Sequence, residues 1–451
     1  MEVLTMLRRK IEKDIMHWIE SSEKALLVYG VRQAGKTYII RKCLKKAGCN
    51  YVEFNLIKQP EILTILANAT GIDDLILKLS LFSDQRIVPG KTVFFFDEIQ
   101  KYKEIVTKIK FLVDDKRFRY VLSGSLLGVE ITNLKSAPVG YLQTLNMYPM
   151  DFEEFLWAMG NDMMAEYIDK QFEAKKPMGD FHREAMRLFR QYLIVGGMPQ
   201  AVDEYVKSKD FDRVDAVKRQ ILRLYRNDIK KYGGGATSKI SALFESIPGQ
   251  LQKGEKKFRL SELDTDARMR DYNEAFFWLN DACLANICYN TTAPNVGLQL
   301  NEERTTLKCY FCDTGLLISM AFDARGIVSH EVYQKLMFEK LEINEGMLIE
   351  NIVAQMLRAA GHKLFFYSSY DKNDAANRME IDFLIQKKRV TSRHNISPVE
   401  VKSGTNYTLT SIKKCIGKFG QYLSTPYVIH TKDMNEKDGI VYIPIYMTPF
   451  L

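Results

Sequence analysis

Ala25-Leu26-Leu27-Val28-Tyr29-Gly30-Val31-Arg32-Gln33-Ala34-Gly35-Lys36-Thr37-Tyr38-Ile39-Ile40 reads as a strand, a glycine-bracketed loop and the opening of a helix. The first five residues are apolar without alternation, as a parallel strand buried on both faces requires. The loop follows at once, so backbone N–H groups and the positive end of the next helix converge where phosphates bind. In this strand–loop–helix context the spacing is that of a P-loop. Gly30 and Gly35 let the backbone curl around a β-phosphate, Lys36 reaches the β- and γ-oxygens, and the Thr37 hydroxyl ligates Mg²⁺. Gly30 through Tyr38 is therefore the candidate binding site for ATP with Mg²⁺. A glycine turn that merely spells the motif would lack the flanking strand and helix.

A P-loop needs an acidic partner, and Lys91-Thr92-Val93-Phe94-Phe95-Phe96-Asp97-Glu98-Ile99 supplies one: a buried strand ending in two acids. Asp97 suits the Mg²⁺ hydration shell, and Glu98 is placed to orient or deprotonate the attacking water. Further strands read as Tyr51–Asn55 and Arg119–Ser123. The second runs into Ser123-Gly124-Ser125, where Ser123 is a candidate γ-phosphate sensor at the sheet's carboxyl edge. A plain serine turn accounts for the same tripeptide.

At 451 residues the chain exceeds what one core fills, which predicts several domains. Its 46% hydrophobic and 27% charged residues exclude a disordered chain. No apolar run approaches the roughly 18 residues of a membrane span, and Met1-Glu2-Val3-Leu4 lacks a signal-peptide pattern, so no membrane partner and a cytoplasmic site are expected. Seven scattered cysteines fit reduced thiols. The net charge of +8 permits DNA as a partner without requiring it.

These motifs, together with Tyr148-Pro149-Met150-Asp151-Phe152-Glu153-Glu154-Phe155-Leu156 and Tyr192-Leu193-Ile194-Val195-Gly196-Gly197-Met198-Pro199, resemble a prokaryotic family of AAA-like ATPases with a C-terminal domain of unknown function. The resemblance covers nearly the whole chain. It implies an additional-strand fold, with the sensor strand between the P-loop strand and the Asp-Glu strand. Many relatives carry an arginine after the glycine in the segment matching Val139-Gly140, whereas this chain has Tyr141. That leaves Arg117 and Arg119 as weak substitutes for a sensor or trans-acting arginine, and leaves oligomer formation open.

From Asp151 to Lys231 apolar residues recur at helical spacing, as in Met186, Phe189, Leu193 and Ile194. Gly233-Gly234-Gly235 then makes a break. Helices are predicted over Ile240–Gln252, Leu260–Ala267 and Asp271–Ala285, with a strand from Ala285, which is winged-helix order. Arg268 and Arg270 would lie near DNA phosphates in such a module, though it often serves only for packing. Cys309-Tyr310-Phe311-Cys312 has zinc-ligand spacing beside Cys283 and Cys288, but its apolar surroundings favour buried thiols.

Farther on, Gly346–Leu357 is an amphipathic helix carrying Glu350, and Leu364–Tyr367, Met379–Ile385 and Ser397–Gly404 are strands, the last two forming a hairpin. With a period of two, Glu380 and Asp382 share one side, Ile381 and Phe383 the other, and Glu400 shares a face with Lys402. If Asp382 meets Glu400, carboxylates for Mg²⁺ or Mn²⁺ gather with a lysine that can steady an attacking water. This resembles the PD-(D/E)xK nuclease core, which implies Glu350, Asp382 and Glu400 as metal-site acids and Lys402 as the lysine of the Glu-x-Lys pair. No proline precedes Asp382.

The expected architecture is α/β. It comprises an AAA-like P-loop ATPase domain (1–150), a helical connector (151–235), a winged-helix-like segment (236–325) and a restriction-endonuclease-like domain (326–451). The expected function is ATP hydrolysis coupled to a nuclease-like domain that acts on or binds DNA, with cleavage left open. The rival is a nucleotide-dependent switch whose C-terminal domain is a non-catalytic module for protein or DNA.

Overall fold

The computed structural model describes residues 7–83, 85–125, 140–253, 257–295, 297–322, 333, 335, 337, 345–370, 377–387, 394–404 and 406–451. Val139 and the basic stretch 388–393 between the hairpin strands lie outside the described residues. The chain forms two compact units: Arg8–Tyr148 with Asp281–Cys283, and Pro149–Asn280 with Leu284–Leu451 and Leu7.

In the first unit, β1 (Ala25–Gly30), β2 (Asn50–Asn55), β3 (Thr92–Asp97), β4 (Arg119–Gly124) and β5 (Leu142–Met147) form an all-parallel sheet in the order β2-β3-β4-β1-β5. β4 lies between β1 and β3, where the family resemblance put the sensor strand. Every residue of β3 is buried, as are all but one of β1, which is why both read as unbroken apolar runs. Helices α1 (Ile11–Ser21), α2 (Lys36–Lys46), α3 (Glu61–Asn68), α4 (Ile72–Phe82) and α5 (Glu104–Asp114) complete the unit. Phe94 stacks on Phe54 and Tyr120 at 6.1 and 5.8 Å between ring centroids. Each such buried ring contributes about 1.5–3 kcal/mol. This core fixes β3, and with it the height at which Asp97 emerges.

The second unit begins with helices α6 (Phe152–Ala158), α7 (Asp162–Ala174), α8 (His182–Val195), α9 (Pro199–Ser208) and α10 (Phe211–Tyr232). Asp151 and Glu154 form a reciprocal capping box at the start of α6. The motif Gly196-Gly197-Met198-Pro199 is a close-approach joint. A Cβ on Gly197 would lie 2.1 Å from the Met150 carbonyl oxygen, while the Gly197 N–H donates to Asp313 at 2.6 Å. After the glycine break come α11 (Thr237–Leu251), α12 (Met269–Asp281), α13 (Thr314–Ala321), α14 (Glu345–Ala359) and α15 (Thr410–Phe419).

Strands β6 (Ala285–Thr291), β7 (Glu302–Phe311), β8 (Phe365–Ser369), β9 (Met379–Gln386), β10 (Ile396–Val401), β11 (Tyr427–His430), β12 (Asn435–Lys437) and β13 (Ile440–Pro444) form one mixed sheet, ordered β12-β13-β11-β10-β9-β8-β6-β7. Here the structure differs from the sequence reading. The strand pair expected in a winged-helix-like segment is the edge of this sheet, because Tyr289 and Asn290 of β6 pair with Phe365 and Phe366 of β8. The division expected at residue 325 thus falls inside one sheet. The helix expected over Leu260–Ala267 is only a 3₁₀ turn at Leu260–Glu262. The Gln250 side chain brackets Arg259 through both its N–H and its carbonyl, and the Asp264 side chain accepts from the Asp266 N–H. Such local side-chain bonds compete with helix propagation.

Candidate functional site

The P-loop of the first unit is built by backbone constraint. A Cβ on Gly30 would lie 2.1 Å from the Met147 carbonyl oxygen of β5, so only glycine lets the strand leave the sheet there. Gly35, at φ 91°, turns the chain into α2. Val31, Ala34 and Lys36 are buried, while Arg32, Gln33, Thr37 and Tyr38 are partly exposed at the mouth. Lys36 Nζ folds back to donate to the carbonyls of Gly30 and Val31, both at 2.9 Å. Burial lowers its pKa to about 8, with Glu98 opposing the shift.

Asp97 is the hub facing the loop. Its carboxylate accepts from Thr37 Oγ1 at 3.0 and 3.1 Å, from Asn55 Nδ2 at 3.0 Å and from the Ser123 hydroxyl. Burial raises its pKa. A hydroxyl and a carboxylate side by side are the hard oxygen donors that Mg²⁺ takes, so the residues fit that ion. Glu98 sits in the left-handed region, at φ 61°, and its carboxylate accepts from Gln100 Nε2. Two participants carried no motif signal. Asn55 ends β2 beside Asp97, and Arg9 props the loop from behind, donating to Ala34 O at 3.0 Å and Tyr148 O at 2.7 Å. Arg117 pairs with Asp115 and Asp73, and Arg119 donates to the carbonyls of Trp18 and Ile19. Both are engaged away from the phosphate loop.

In the second unit, the β9–β10 register runs Ile396↔Gln386 through Val399↔Phe383, and one step further brings Asp382 beside Glu400. The Val401 N–H donates to Asp382 Oδ2 at 2.9 Å. The expected alternation slips once. Leu384, rather than Phe383, shares the core with Ile381, at the register shift between β8 and β9, and Phe383 turns to Tyr310 at 5.6 Å between rings. Glu400, 1% exposed, has Lys402 Nζ at 2.8 Å from its Oε2. Burial raises its pKa, with Lys402 opposing the shift.

The residue that sequence reasoning missed is Lys308 on β7. It is 1% exposed, and its Nζ lies 2.8 Å from Glu380 Oε1, 3.3 Å from Glu350 Oε1 and 3.6 Å from Asp382 Oδ1. Tyr310 donates its hydroxyl to Glu350 as well. Burial alone would lower the Lys308 pKa, but Glu350, Asp382 and Glu380 together raise it well above the usual lysine value. An ammonium therefore stands among the acids expected to hold a metal. No group of three or more His, Cys, Asp or Glu poised for a metal occurs among the described residues. As arranged, Glu350, Asp382 and Glu400 do not fit a divalent ion. Cys288, Cys309 and Cys312 are buried free thiols of this same sheet region.

A lysine cradled by glycines at the carboxyl edge of a five-stranded parallel sheet, facing a strand-ending Asp-Glu pair, defines an AAA-like P-loop ATPase domain. In agreement, residues 22–156 match a family model described as an AAA domain. Residues 186–326 and 345–448 match two domains of unknown function, DUF8612 and DUF4143. No curated protein matches the chain. Among solved structures, a Walker-type ATPase of Pyrococcus abyssi overlaps at 14% identity, 70% of this chain, 96% of that chain and TM-score 0.41. The Orc1 protein of Aeropyrum pernix in complex with DNA overlaps at 11%, 71%, 94% and 0.28. Cdc6p from Pyrobaculum aerophilum overlaps at 11%, 76%, 97% and 0.27. TM-scores this low leave the class to rest on the matched domain and the geometry. No helix among the described residues is long and apolar enough to cross a membrane.

Proposed function

We propose that the protein binds and hydrolyses ATP with Mg²⁺ in its first unit and engages DNA through a nuclease-like second unit. The observation that carries the ATPase reading is the direct bond from the Thr37 hydroxyl to the Asp97 carboxylate, 60 residues apart in sequence. Mg²⁺ supplies Lewis-acid neutralisation of phosphate charge when bound, and Thr37 and Asp97 are the residues that would hold it. Lys36, freed from the carbonyls of Gly30 and Val31, contacts the β- and γ-phosphates, and backbone N–H groups from Gly30 to Tyr38 line the cradle. Glu98 accepts the proton of the attacking water, and Ser123 reads the γ-phosphate from β4.

The test is phosphate release with and without DNA, for wild type and Glu98→Gln. DNA-stimulated release that falls at least tenfold in Glu98→Gln while ATP is still retained supports the reading. Negligible, DNA-independent release favours the rival, a nucleotide-dependent switch with a non-catalytic second unit. One observation favours that rival for the second unit: Lys308 stands among the acids that cleavage would need. Plasmid nicking in Mn²⁺ that persists unchanged in Asp382→Ala dismisses phosphodiester chemistry by Asp382, Glu400 and Lys402.

A further inference from the structure

We propose that Lys308 is a resident cation that fills the carboxylate centre of the second unit in place of a divalent metal, so that metal binding and the seated lysine are mutually exclusive. The proposal rests on the nuclease-like reading of this unit and concerns how that centre is controlled. Glu380, Glu350 and Asp382 all lie within 3.6 Å of the Lys308 Nζ, at the distances of an ammonium held by carboxylates. The three come from two elements, α14 and β9, and Lys308 from a third, β7. The seat is thus an assembly of the tertiary fold and not a local turn.

Packing holds the lysine there. Cys288 pairs opposite it on β6, and the Phe366 ring lies 5.1 Å from its Nζ. A carboxylate left buried without a cation costs several kcal/mol or must take up a proton, so the cluster favours a cation here. Lys308 provides it covalently, and it cannot diffuse away.

Glu400, the other buried acid beside Asp382, already holds an ammonium of its own. It is 1% exposed and sits beside Asp382, with Lys402 Nζ 2.8 Å from its Oε2. A divalent ion between Asp382 and Glu400 would have to compete with two ammonium groups, Lys308 Nζ 3.6 Å from Asp382 Oδ1 and Lys402 Nζ 2.8 Å from Glu400 Oε2. Cations crowded around the same carboxylate oxygens repel one another, and the covalently held ammoniums are already in place. The centre is therefore metal-free while Lys308 is seated, and the second unit then lacks the ion that metal-dependent phosphodiester cleavage would need.

Mn²⁺ alone is the probe, titrated by electron paramagnetic resonance into nucleotide-free full-length protein. Wild type should bind Mn²⁺ no more tightly than its Asp382→Asn variant. Lys308→Met should bind one additional ion at least tenfold more tightly than wild type, and Lys308→Met combined with Asp382→Asn should lose it. If Lys308→Met folds only when MnCl₂ is present, the proposal is equally supported, and Lys308→Gln gives a second, polar replacement of the ammonium. Tight Mn²⁺ binding in wild type that Asp382→Asn abolishes overturns the resident-cation proposal and leaves the nuclease-like reading standing. Extra Mn²⁺ binding in Lys308→Met that survives Asp382→Asn overturns both. No gain of binding in folded Lys308→Met or Lys308→Gln overturns the proposal alone.

Discussion

Both units bury a lysine among acidic neighbours, and the two lysines are in opposite electrostatic states. Lys36 is held by two carbonyl oxygens, and burial brings its pKa down to about 8. Lys308 is held by three carboxylates that raise its pKa well above the ordinary value although it is the more deeply buried of the two. A carbonyl is a dipole and does not neutralise an ammonium, so Lys36 is left under-compensated and ready for phosphate. Lys308 has its counter-charge already supplied. A buried cation whose partner is missing marks a place for a ligand; one whose partners are present marks a structural or gating element.

The largest expected effect tests the filled site. Lys308→Met should destabilise the protein by about 3–5 kcal/mol, read from the urea midpoint, because three carboxylates lose their buried cation. The sign with pH is fixed: a lysine whose folded pKa is raised contributes stability fully below its unfolded pKa of about 10.4 and loses it only as pH climbs through the folded value. The deficit of the variant should therefore be constant from about pH 7 to 10. A deficit that disappears by pH 9 would break the contrast with Lys36.

Lys36→Ala removes the cation awaiting phosphate and should lower the rate of phosphate release by about 10²–10³-fold, while the urea midpoint changes little. A large loss of stability without loss of ATP retention would reverse the roles assigned to the two lysines.

A third expectation concerns protons. The phosphate-bound lysine must be charged, and the free one has a pKa of about 8, so ATP binding should take up a proton as pH rises past that value. Affinity is then fully present below pH 8 and falls toward about tenfold per pH unit above it. Calorimetry in two buffers of different ionisation enthalpy at pH 8.5 checks this, with Lys36→Ala as the control. Proton release instead of uptake would contradict the lowered value.

The smallest effect sharpens the filled site. Glu380, the nearest acid to Lys308, is also its most solvent-exposed partner, at 33%. Glu380→Gln should cost about 1 kcal/mol or less, since water screens an exposed partner. A loss as large as that of Lys308→Met would make Glu380 the essential anchor instead of one of three.

Much of the first unit was legible because its information is local. The apolar runs of β1 and β3, Gly30 to Thr37, and Asp97 with Glu98 each declare themselves within ten residues. Asn55 and Arg9 were not legible, since a lone polar residue announces nothing until the sheet brings it to Asp97 or the back of the loop. In the second unit Glu350, Asp382, Glu400 and Lys402 could be picked out by pattern. The slip of β9 that turns Phe383 to Tyr310 could not, because alternation alone carries no mark of a register shift.

The sequence by itself determined a phosphate cradle, since glycine conformational freedom and the order strand–loop–helix are properties of contiguous residues. Only the tertiary structure decided what stands among the acids of the second unit. Lys308 lies 42 residues from Glu350 in the chain and reaches it only because β6 pairs with β8 and carries β7 along as the sheet's edge. That pairing is set by cross-strand packing and backbone hydrogen bonds between distant segments; the apolar neighbours Leu307, Cys309 and Tyr310 mark a buried strand, but nothing next to Lys308 says which acids it meets.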